Sequence, residues 1–407
     1  MPPSSSSTSS RDLNRPAPGP WLRLTALAGA AAALLAVVSG AAGLGAAHQL
    51  LAALALPPLV ALAAAACLFH RHLLPSALAA LLLFGAAALL TSEIVHVAAA
   101  SAAFAAALVA SAGTFRSAPH ARSAWRDYVT LTKPRIMSLL LLTGLCGMVV
   151  GARGVPDAWL VAVTMLGLAL ACGGASALNH VLDRDIDRLM GERTRARPLA
   201  AGRMPPSRAL EFGLALSAFS FVLLASAVNV LTAALALVGN LFYVLVYTGW
   251  LKRTTPQNIV IGGAAGAVPP LVGWAAATGN LTLPALWLFL IVFFWTPPHF
   301  WALALLIKRD YAAAGIPMLP VVRGERETVR QIVLYSFVLV GVTVLPFLWG
   351  TLGLVYLVTA LVLGGGFIWL AVGLARRTTP RRAALLFHSS LLYLALLFVA
   401  AAVDPIV

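Results

Sequence analysis

The amino-acid sequence predicts an all-α integral membrane protein, with a nine-helix core preceded by a four-helix membrane extension. Of its 407 residues, 61% are apolar and only 10% are charged, whereas soluble proteins carry about 25% charged residues. The charge-free stretches are long enough for helices that cross about 30 Å of hydrocarbon at about 1.5 Å per residue. This composition excludes a soluble enzyme and a disordered chain. The lipid bilayer is therefore the first partner that we expect.

The individual elements follow from where charges are absent. Residues 1–20 are rich in Ser and Pro and are expected to form a disordered cytoplasmic tail. The extension, 21–115, has two spans in 24–69 and one each in 73–92 and 94–115, and 116–135 is a basic cytoplasmic linker. The core, 136–403, divides into nine spans: 136–152, 158–182, two in 212–251, two in 254–307, two in 331–375, and 383–403. Residues 404–407 are expected to form an outside tail.

The basic residues predict the orientation in the membrane. The net charge is +15, and with the N-terminus inside, only Arg153 of the 28 Lys and Arg residues falls outside. Cytoplasmic loops of membrane proteins carry such an excess. We therefore expect a multi-pass protein of the cell (inner or plasma) membrane, with the N-terminus and two long loops, 182–208 and 308–330, in the cytoplasm. On a soluble domain this charge would suggest nucleic acid, but its placement here gives no reason to expect such a partner.

The first long loop begins with a regular pattern of oxygen-bearing side chains. Asn179, Asp183 and Asp187 recur every fourth residue, so on a continued helix they lie on one face, with Asp185 roughly opposite. Such groups at the end of a membrane helix are costly unless neutralised, and Mg²⁺ takes one or two carboxylates together with phosphate oxygens. Positive charge is added by Arg184, Arg193, Arg195 and Arg197. The pattern predicts a metal-bridged diphosphate site, and the alternative is a solvated loop with local salt bridges.

The second long loop supplies one further acid, Asp310, at the end of its span. Basic residues flank Asp310, and an apolar segment broken by Gly and Pro follows it. Both loops lie on the same predicted side of the membrane, so we expect them to converge over one cavity.

Residues of both loops resemble those of a known family. Asn179-x3-Asp183-x3-Asp187 followed by Arg197-Pro198 is similar to the first signature of the UbiA superfamily of intramembrane prenyltransferases. Within it, three stretches resemble the protohaem IX farnesyltransferases, or haem O synthases: Thr132-Lys133-Pro-Arg135, Trp295-Thr-Pro-Pro-His299-Phe-Trp, and Asp310-Tyr-Ala-Ala-Ala-Gly-Ile-Pro-Met-Leu-Pro-Val-Val. The resemblance runs from about residue 127 to the C-terminus. The superfamily usually pairs two acids in its second signature, but this sequence has Asp310 and then Ala314, as haem O synthases do. That departure leaves the ligands of a second metal open.

The resemblance implies an all-helical fold with a central cavity open to the lipid. The implied catalytic set is Asp183, Asp187 and Asp310, which hold Mg²⁺, with Asn179 in support. The implied diphosphate-binding residues are Arg197, Lys252, Arg253, Lys308 and Arg323. The implied reaction transfers a farnesyl group from farnesyl diphosphate to the 2-vinyl group of haem b, with addition of water, and gives haem O for the assembly of haem–copper oxidases.

Two other functions stay open at this point. One is a prenyltransferase for a quinone or chlorophyll precursor, against which the stretch 295–301 argues. The other is a non-catalytic haem carrier, which would need histidines but not the three acids.

Histidines in apolar segments are the candidates for binding haem. His299 follows two prolines inside a span, where polarity is costly, and it either ligates or orients haem iron or is a hydrogen-bonded structural residue. His48 and His96 lie near the starts of the second and fourth extension spans, a pattern that faintly resembles half of a haem A synthase. That enzyme is then a candidate partner, and the alternative is an extension that only anchors the protein.

Three more residues near the predicted site have two interpretations. Tyr243 and Tyr247 lie near the cytoplasmic end of their span and either face an allylic cation with their rings or are interfacial tyrosines. His180, next to Asn179, is expected at the membrane interface.

Overall fold

The computed structural model describes residues 20–41, 55, 58–63, 77–80, 103, 106–107 and 125–406. Every regular element in these ranges is helical. Nine of the described helices are long and apolar enough to cross a membrane. The predicted all-α core of nine spans is therefore confirmed, with helix ends that differ from the predicted ones by a few residues.

The helices follow one another along the chain with short connections. Those of membrane-spanning length in the core are α3 (Pro134–Ala152), α4 (Ala158–Leu182), α7 (Pro206–Ala227), α8 (Val230–Thr254), α9 (Asn258–Thr278), α10 (Leu283–Leu306), α13 (Gly324–Leu348), α14 (Leu354–Arg376) and α15 (Pro380–Val403). The others are α1 (Pro20–Ala41), α2 (Trp125–Thr132), α5 (Arg184–Leu189), α6 (Glu192–Arg195), α11 (Lys308–Ala313) and α12 (Leu319–Val322).

Local sequence signals explain several helix ends. Asp157 caps α4, because its side chain accepts hydrogen bonds from the backbone N–H groups of Trp159 and Leu160, both at 3.0 Å. Asn229 caps α8 in the same way through Thr232 N–H at 2.8 Å. Gly279 ends α9 at φ 71°, a left-handed conformation that glycine adopts without steric cost.

Small residues let the core helices approach closely. A Cβ atom at Gly147 would clash with the carbonyl of Pro270, and one at Gly273 would clash with the carbonyl of Gly144, so α3 and α9 cross with their backbones in contact. Buried polar groups tie neighbouring helices together, as where Ser220 Oγ donates to Gly167 O at 2.6 Å. Both devices are typical of helix packing in membranes, where apolar burial alone gives little preference for one neighbour.

Large apolar side chains cover the outward faces of the helices. On α14, for example, Val358, Val362 and Trp369 are all more than half exposed. Hydrocarbon is the solvent that suits such a surface.

Part of the extension lies within the described residues. Ala30, Leu59, Ala80 and Ala107, which come one from each of its four predicted spans, are buried together in one apolar cluster. Ala33 of α1 packs with residues of α4 and α7. This packing suits four neighbouring spans, which stay a prediction. Almost all of the predicted N-terminal tail, most of the linker, and both His48 and His96 lie outside the described residues.

Candidate functional site

The centre of the site is the carboxylate of Asp183, which ends α4. Asp183 is 1% exposed, and its Oδ2 accepts hydrogen bonds from Lys252 Nζ at 2.6 Å and from Asn179 Nδ2 at 2.8 Å. Its other oxygen, Oδ1, is buried without a hydrogen-bond partner. A buried acceptor without a donor is costly, so this oxygen is the atom at which a ligand would be most favourable.

A widened helical turn in α8 directs two of its side chains, Thr248 and Lys252, into the site. The segment Phe242–Leu251 of α8 is π-helical, and Thr248 Oγ1 donates to Tyr243 O, five residues back, at 2.9 Å. Such turns are rare and often lie at functional sites. Here the turn directs Thr248 towards Asn179, whose Nδ2 donates to Thr248 Oγ1 at 3.0 Å, and Lys252 towards Asp183.

Lys133 joins the site, although sequence reasoning gave it no role. Its Nζ donates to Asn179 Oδ1 at 2.8 Å. Lys133 lies between α2 and α3 with φ 50°, and this left-handed residue turns the chain just before Pro134. Burial, together with the positive charge of Arg197, lowers the pKa of Lys133 to about 7. The available signal was a lysine directly before the proline that opens a span, within the stretch 132–135.

Asp187 forms a second, separate ion pair. It is buried on the short helix α5, and Arg197 NH1 lies 2.7 Å from its Oδ1. Burial raises the pKa of Asp187, although the charge of Arg197 opposes the shift. The helix does not continue through the motif as one piece, because α4 ends at Leu182 and α5 begins at Arg184.

Asp185 faces away from these groups, as predicted. It forms a two-pronged ion pair with Arg253, at 2.9 Å for each contact, and both side chains are well exposed. The Arg253 hydrogen bond lowers the pKa of Asp185 to about 2. Arg253 is thereby paired with Asp185, and its NH2 group also donates to Leu182 O at 2.7 Å.

The two long loops meet, in agreement with the sequence prediction. A Cβ atom placed on Gly191 of the first loop would lie 2.5 Å from Oδ2 of Asp310 in the second. Tyr311 follows Asp310 and is buried, which raises the pKa of its phenol, so the group stays protonated.

The other predicted phosphate ligands of the second loop lie elsewhere. Lys308 pairs with Glu325 at 3.2 Å on the exposed surface. Arg323 lines a cavity of about 440 Å³, formed with Gln257, Trp301, Leu319, Glu327, Gln331 and Tyr335. None of the residues around Asp183 or Asp187 lines that cavity, so the structure does not gather Lys308 or Arg323 with the carboxylates of the first loop.

The donor set around Asp183 suits Mg²⁺ only in combination with a phosphate. Among residues 125–406 and the described parts of the extension, no three Asp, Glu, His or Cys side chains form a group that would hold a metal. Asp183 and Asp187 each have a cationic partner instead. The buried free Oδ1 of Asp183 is a suitable hard ligand, and Mg²⁺ in such sites commonly takes one or two carboxylates and fills the rest with substrate phosphate and water. The residues present fit an ion that arrives with a diphosphate.

Aromatic rings line the neighbouring part of α8. Tyr243 and Tyr247 stack with ring centroids 5.6 Å apart, and Tyr247 packs directly on Gly262 of α9. Their position next to Thr248 suits an interior role better than an interfacial one. His180, which was predicted at the membrane interface, is 1% exposed and packs inside the protein rather than on its surface. Its depth in the membrane stays a prediction.

His299 lies in the C-terminal half of α10 and contacts α15. Its Nδ1 is 2.6 Å from Ser390 Oγ, and its ring stacks between those of Trp295 and Phe387. A hydrogen-bonded histidine was one of the two predicted interpretations, and a haem ligand was the other. The geometry is compatible with both.

Comparison with known proteins identifies the family. The UbiA prenyltransferase family model matches residues 140–398. A protein of Symbiobacterium thermophilum named protoheme IX farnesyltransferase is 57% identical over 281 residues, which are 69% of this chain and 94% of that relative. A Roseiflexus protein of the same name is 55% identical over 282 residues, 69% of this chain but 53% of the relative, so this chain spans about half the length of that protein.

A solved structure shares the fold. A UbiA homologue from Archaeoglobus fulgidus, determined with GPP and Mg²⁺, superposes with a TM-score of 0.53 at 18% identity, over 68% of this chain and 99% of that chain. At that identity the likeness concerns the fold alone. The family model covers more than half of this chain, and the Symbiobacterium relative is matched over 94% of its length. The chain therefore belongs to the UbiA prenyltransferase family.

Proposed function

We propose that the protein transfers the farnesyl group of farnesyl diphosphate to the 2-vinyl group of haem b, with addition of water, and so makes haem O. The observation that carries the proposal is the buried Asp183 with a free Oδ1, surrounded by Lys133, Lys252 and Arg197, in a chain 57% identical to a protoheme IX farnesyltransferase. Acids and basic side chains at one buried place suit a metal-bound diphosphate.

The diphosphate binds between the cationic side chains of the site. Lys133 and Lys252 lie on either side of Asn179 and Asp183, and Arg197 holds Asp187. Their positive charges stabilise the negative charge that develops on the diphosphate as it leaves. Arg253, Lys308 and Arg323 stay predicted contacts, which require a change of their present partners or position.

Asp183, Asp187 and Asp310 are the proposed metal ligands, with Asn179 in support. Mg²⁺ bound there would withdraw charge from the diphosphate and stabilise the leaving group. Gly191 keeps the first loop close to Asp310, because the absence of a Cβ leaves room for that carboxylate.

The transfer itself proceeds in an apolar chamber. The bond between C1 of the farnesyl group and the diphosphate oxygen breaks, and its electron pair leaves with the diphosphate. The terminal carbon of the vinyl group then bonds to C1, and water adds to the resulting cation at the inner vinyl carbon and loses a proton. Tyr243 and Tyr247 exclude water from the allylic cation and present their rings to it.

The proposed placement in the membrane follows the basic residues. Both loops of the site face the cytoplasm, in a cell membrane whose inner side receives the positively charged segments. Haem A synthase stays a candidate partner, and haem binding by His48 and His96 stays a prediction.

The test is pigment analysis of membranes from cells that express the protein. We expect haem O, identified by its mass, in cells with the native chain and none with Asp183→Asn at equal expression. A prenylated quinone or chlorophyll precursor instead would support the alternative transferase. Unchanged haem b despite good expression would contradict the enzymatic function and favour a haem carrier.

A further inference from the structure

The ring of His299 is held on three sides by α10 and α15. Its centroid lies 4.2 Å from that of Trp295 and 4.8 Å from that of Phe387, with interplanar angles of 16° and 24°, so both faces are covered. Trp295 is itself fixed, because its Nε1 donates to Ser390 O at 2.8 Å. The ring is therefore clamped in one plane, and only its edge is left to bind a ligand.

The hydrogen bonds of Ser390 determine which ring nitrogen carries the proton. Ser390 Oγ lies 2.6 Å from Phe387 O and 2.6 Å from His299 Nδ1. Contacts this short between polar atoms require a proton in each of them. The carbonyl of Phe387 has no proton, so the serine hydroxyl donates to it. The proton in the other contact must come from Nδ1–H of His299, and the lone pair of the neutral imidazole is consequently on Nε2.

We propose that Ser390 positions His299 as an axial ligand for the iron of the porphyrin acceptor, with Nε2 as the ligating atom. The inference rests on the proposed function, because haem b is the substrate that brings the iron. Histidines that bind metals commonly donate their other ring N–H to a nearby acceptor, which fixes the tautomer and the ring orientation. Here the acceptor is the serine hydroxyl, which in turn is fixed by the backbone of α15.

The position of His299 along α10 suits this role. It lies seven residues before Leu306, the end of the helix, which corresponds to a rise of about 10 Å. The next helix, α11, carries Asp310. An iron ligated at this depth would place the porphyrin below the proposed diphosphate site, and ligation would restrict how the 2-vinyl group turns relative to the farnesyl group.

A purely structural histidine would have different consequences. In that case the contact between His299 and Ser390 would only tie α10 to α15. Loss of His299 would then change the stability of the protein but not the ligation of the haem iron. The informative readout is therefore the iron–histidine bond, recorded by resonance Raman spectroscopy of ferrous haem b bound to the full chain in lipid nanodiscs. The same samples are assayed for conversion of haem b to haem O.

The proposal predicts an iron–histidine stretching band in the native complex that shifts when the protein is made with ¹⁵N-labelled histidine. The band disappears in His299→Gly and returns when imidazole is added. In Ser390→Ala the band shifts in frequency and haem b binds roughly tenfold more weakly, whereas Ser390→Thr, which keeps the hydroxyl, restores both. His388→Ala is the matched control, since His388 is exposed on the same helix and bonds only to Ala384 O in its own turn.

Two results would overturn the proposal. One is a native complex whose spectrum has no band sensitive to histidine labelling although haem O is formed, which leaves the proposed function intact. The other is a band that survives in His299→Gly but is lost in His388→Ala. The labelling experiment uses the native protein and so does not depend on whether any variant folds. Failure of the proposed function would be recognised separately, by haem b that binds but is not converted.

Discussion

The ion pair between Asp183 and Lys252 allows the sharpest test of how the site is built. We consider Asp183→Asn, which keeps the shape of the side chain and removes its charge. In the structure Lys252 Nζ lies 2.6 Å from Asp183 Oδ2, and the two side chains are 11% and 1% exposed. At an effective dielectric constant of about 20, this separation gives a gross attraction of about 6 kcal/mol.

The net effect is smaller than the gross attraction, because desolvation opposes it. Removal of one partner from a buried pair costs about 3–5 kcal/mol, since the other charge stays buried without compensation. In this protein Lys133, which donates to Asn179, lies in the same cluster and in its protonated form adds to the uncompensated positive charge. We therefore expect Asp183→Asn and Lys252→Met each to lower the free energy of unfolding by about 3 kcal/mol or more, with the double variant much less destabilised than the sum.

The assay is unfolding of the purified protein in one detergent, followed by tryptophan fluorescence, in a double-mutant cycle. The matched control is the pair Asp185–Arg253, which has good two-pronged geometry but side chains 60% and 36% exposed. Its coupling should be only about 0–1 kcal/mol. If the exposed pair couples as strongly as the buried one, burial does not control the site and the reasoning is wrong.

Three further predictions concern the same site, and a fourth concerns the packing of its helices. Lys133→Met should raise the KM for farnesyl diphosphate and lower kcat by about 100-fold, measured by haem O formation, whereas Arg135→Met on the exposed side of α3 should change neither. Chelation of divalent ions by EDTA should abolish transfer, and added Mg²⁺ should restore it, while the helicity measured by circular dichroism changes little. Turnover that persists after exhaustive chelation would contradict a metal-bound diphosphate. Gly191→Ala should displace Asp310, whose Oδ2 would lie 2.5 Å from the new Cβ, and so lower kcat with little change in Tm; Gly341→Ala, where a Cβ meets nothing within 4 Å, is the control. Gly273→Ala at the crossing of α3 and α9 should cost about 1–3 kcal/mol and lower Tm, while Gly365→Ala on the open side of α14 should not; equal Tm values would argue against the close crossing.

The spans could be predicted from composition because a membrane selects for it. A charge-free run of about 20 residues has few stable alternatives in lipid, and turn residues such as Asn229 and Gly279 separate the runs that hold two helices. The predicted second span of the core, 158–182, coincides with α4. The first begins two residues earlier than predicted, at Pro134, since proline is favoured in the first turn of a helix.

The composition of the site could be predicted better than its connections. The four-residue spacing of Asn179, Asp183 and Asp187 indicated the two carboxylates that the structure buries, yet it could not indicate that Lys252 pairs with Asp183 and Arg197 with Asp187. Those partners are determined by how distant helices pack. The π-helical turn that directs Thr248 and Lys252 inward could not be predicted, because the spacing of apolar residues in the sequence does not indicate where a helix widens.

Basic residues were the hardest to assign. Every arginine and lysine of the two loops suits both the orientation of the membrane protein and a phosphate ligand, so sequence alone cannot separate these roles. The structure adds their present partners: Lys308, like Arg253 outside these loops, pairs with an exposed acid, and Arg323 lines the cavity of about 440 Å³. Their contact with phosphate stays a prediction. Lys133, on the other hand, reaches Asn179 from the entrance of α3, across 46 residues of sequence.

The central claim is that the Asp183 cluster ionises farnesyl diphosphate for transfer to haem b. In the most direct measurement, the purified protein in nanodiscs is incubated with isotopically labelled farnesyl diphosphate and Mg²⁺. An equimolar mixture of haem b and a quinone precursor is supplied as acceptor. Mass spectrometry then locates the label. We predict that it appears in haem O, together with one added water, and that Asp183→Asn leaves it in the diphosphate. Label in the quinone product, or equal transfer by Asp183→Asn, would contradict the account.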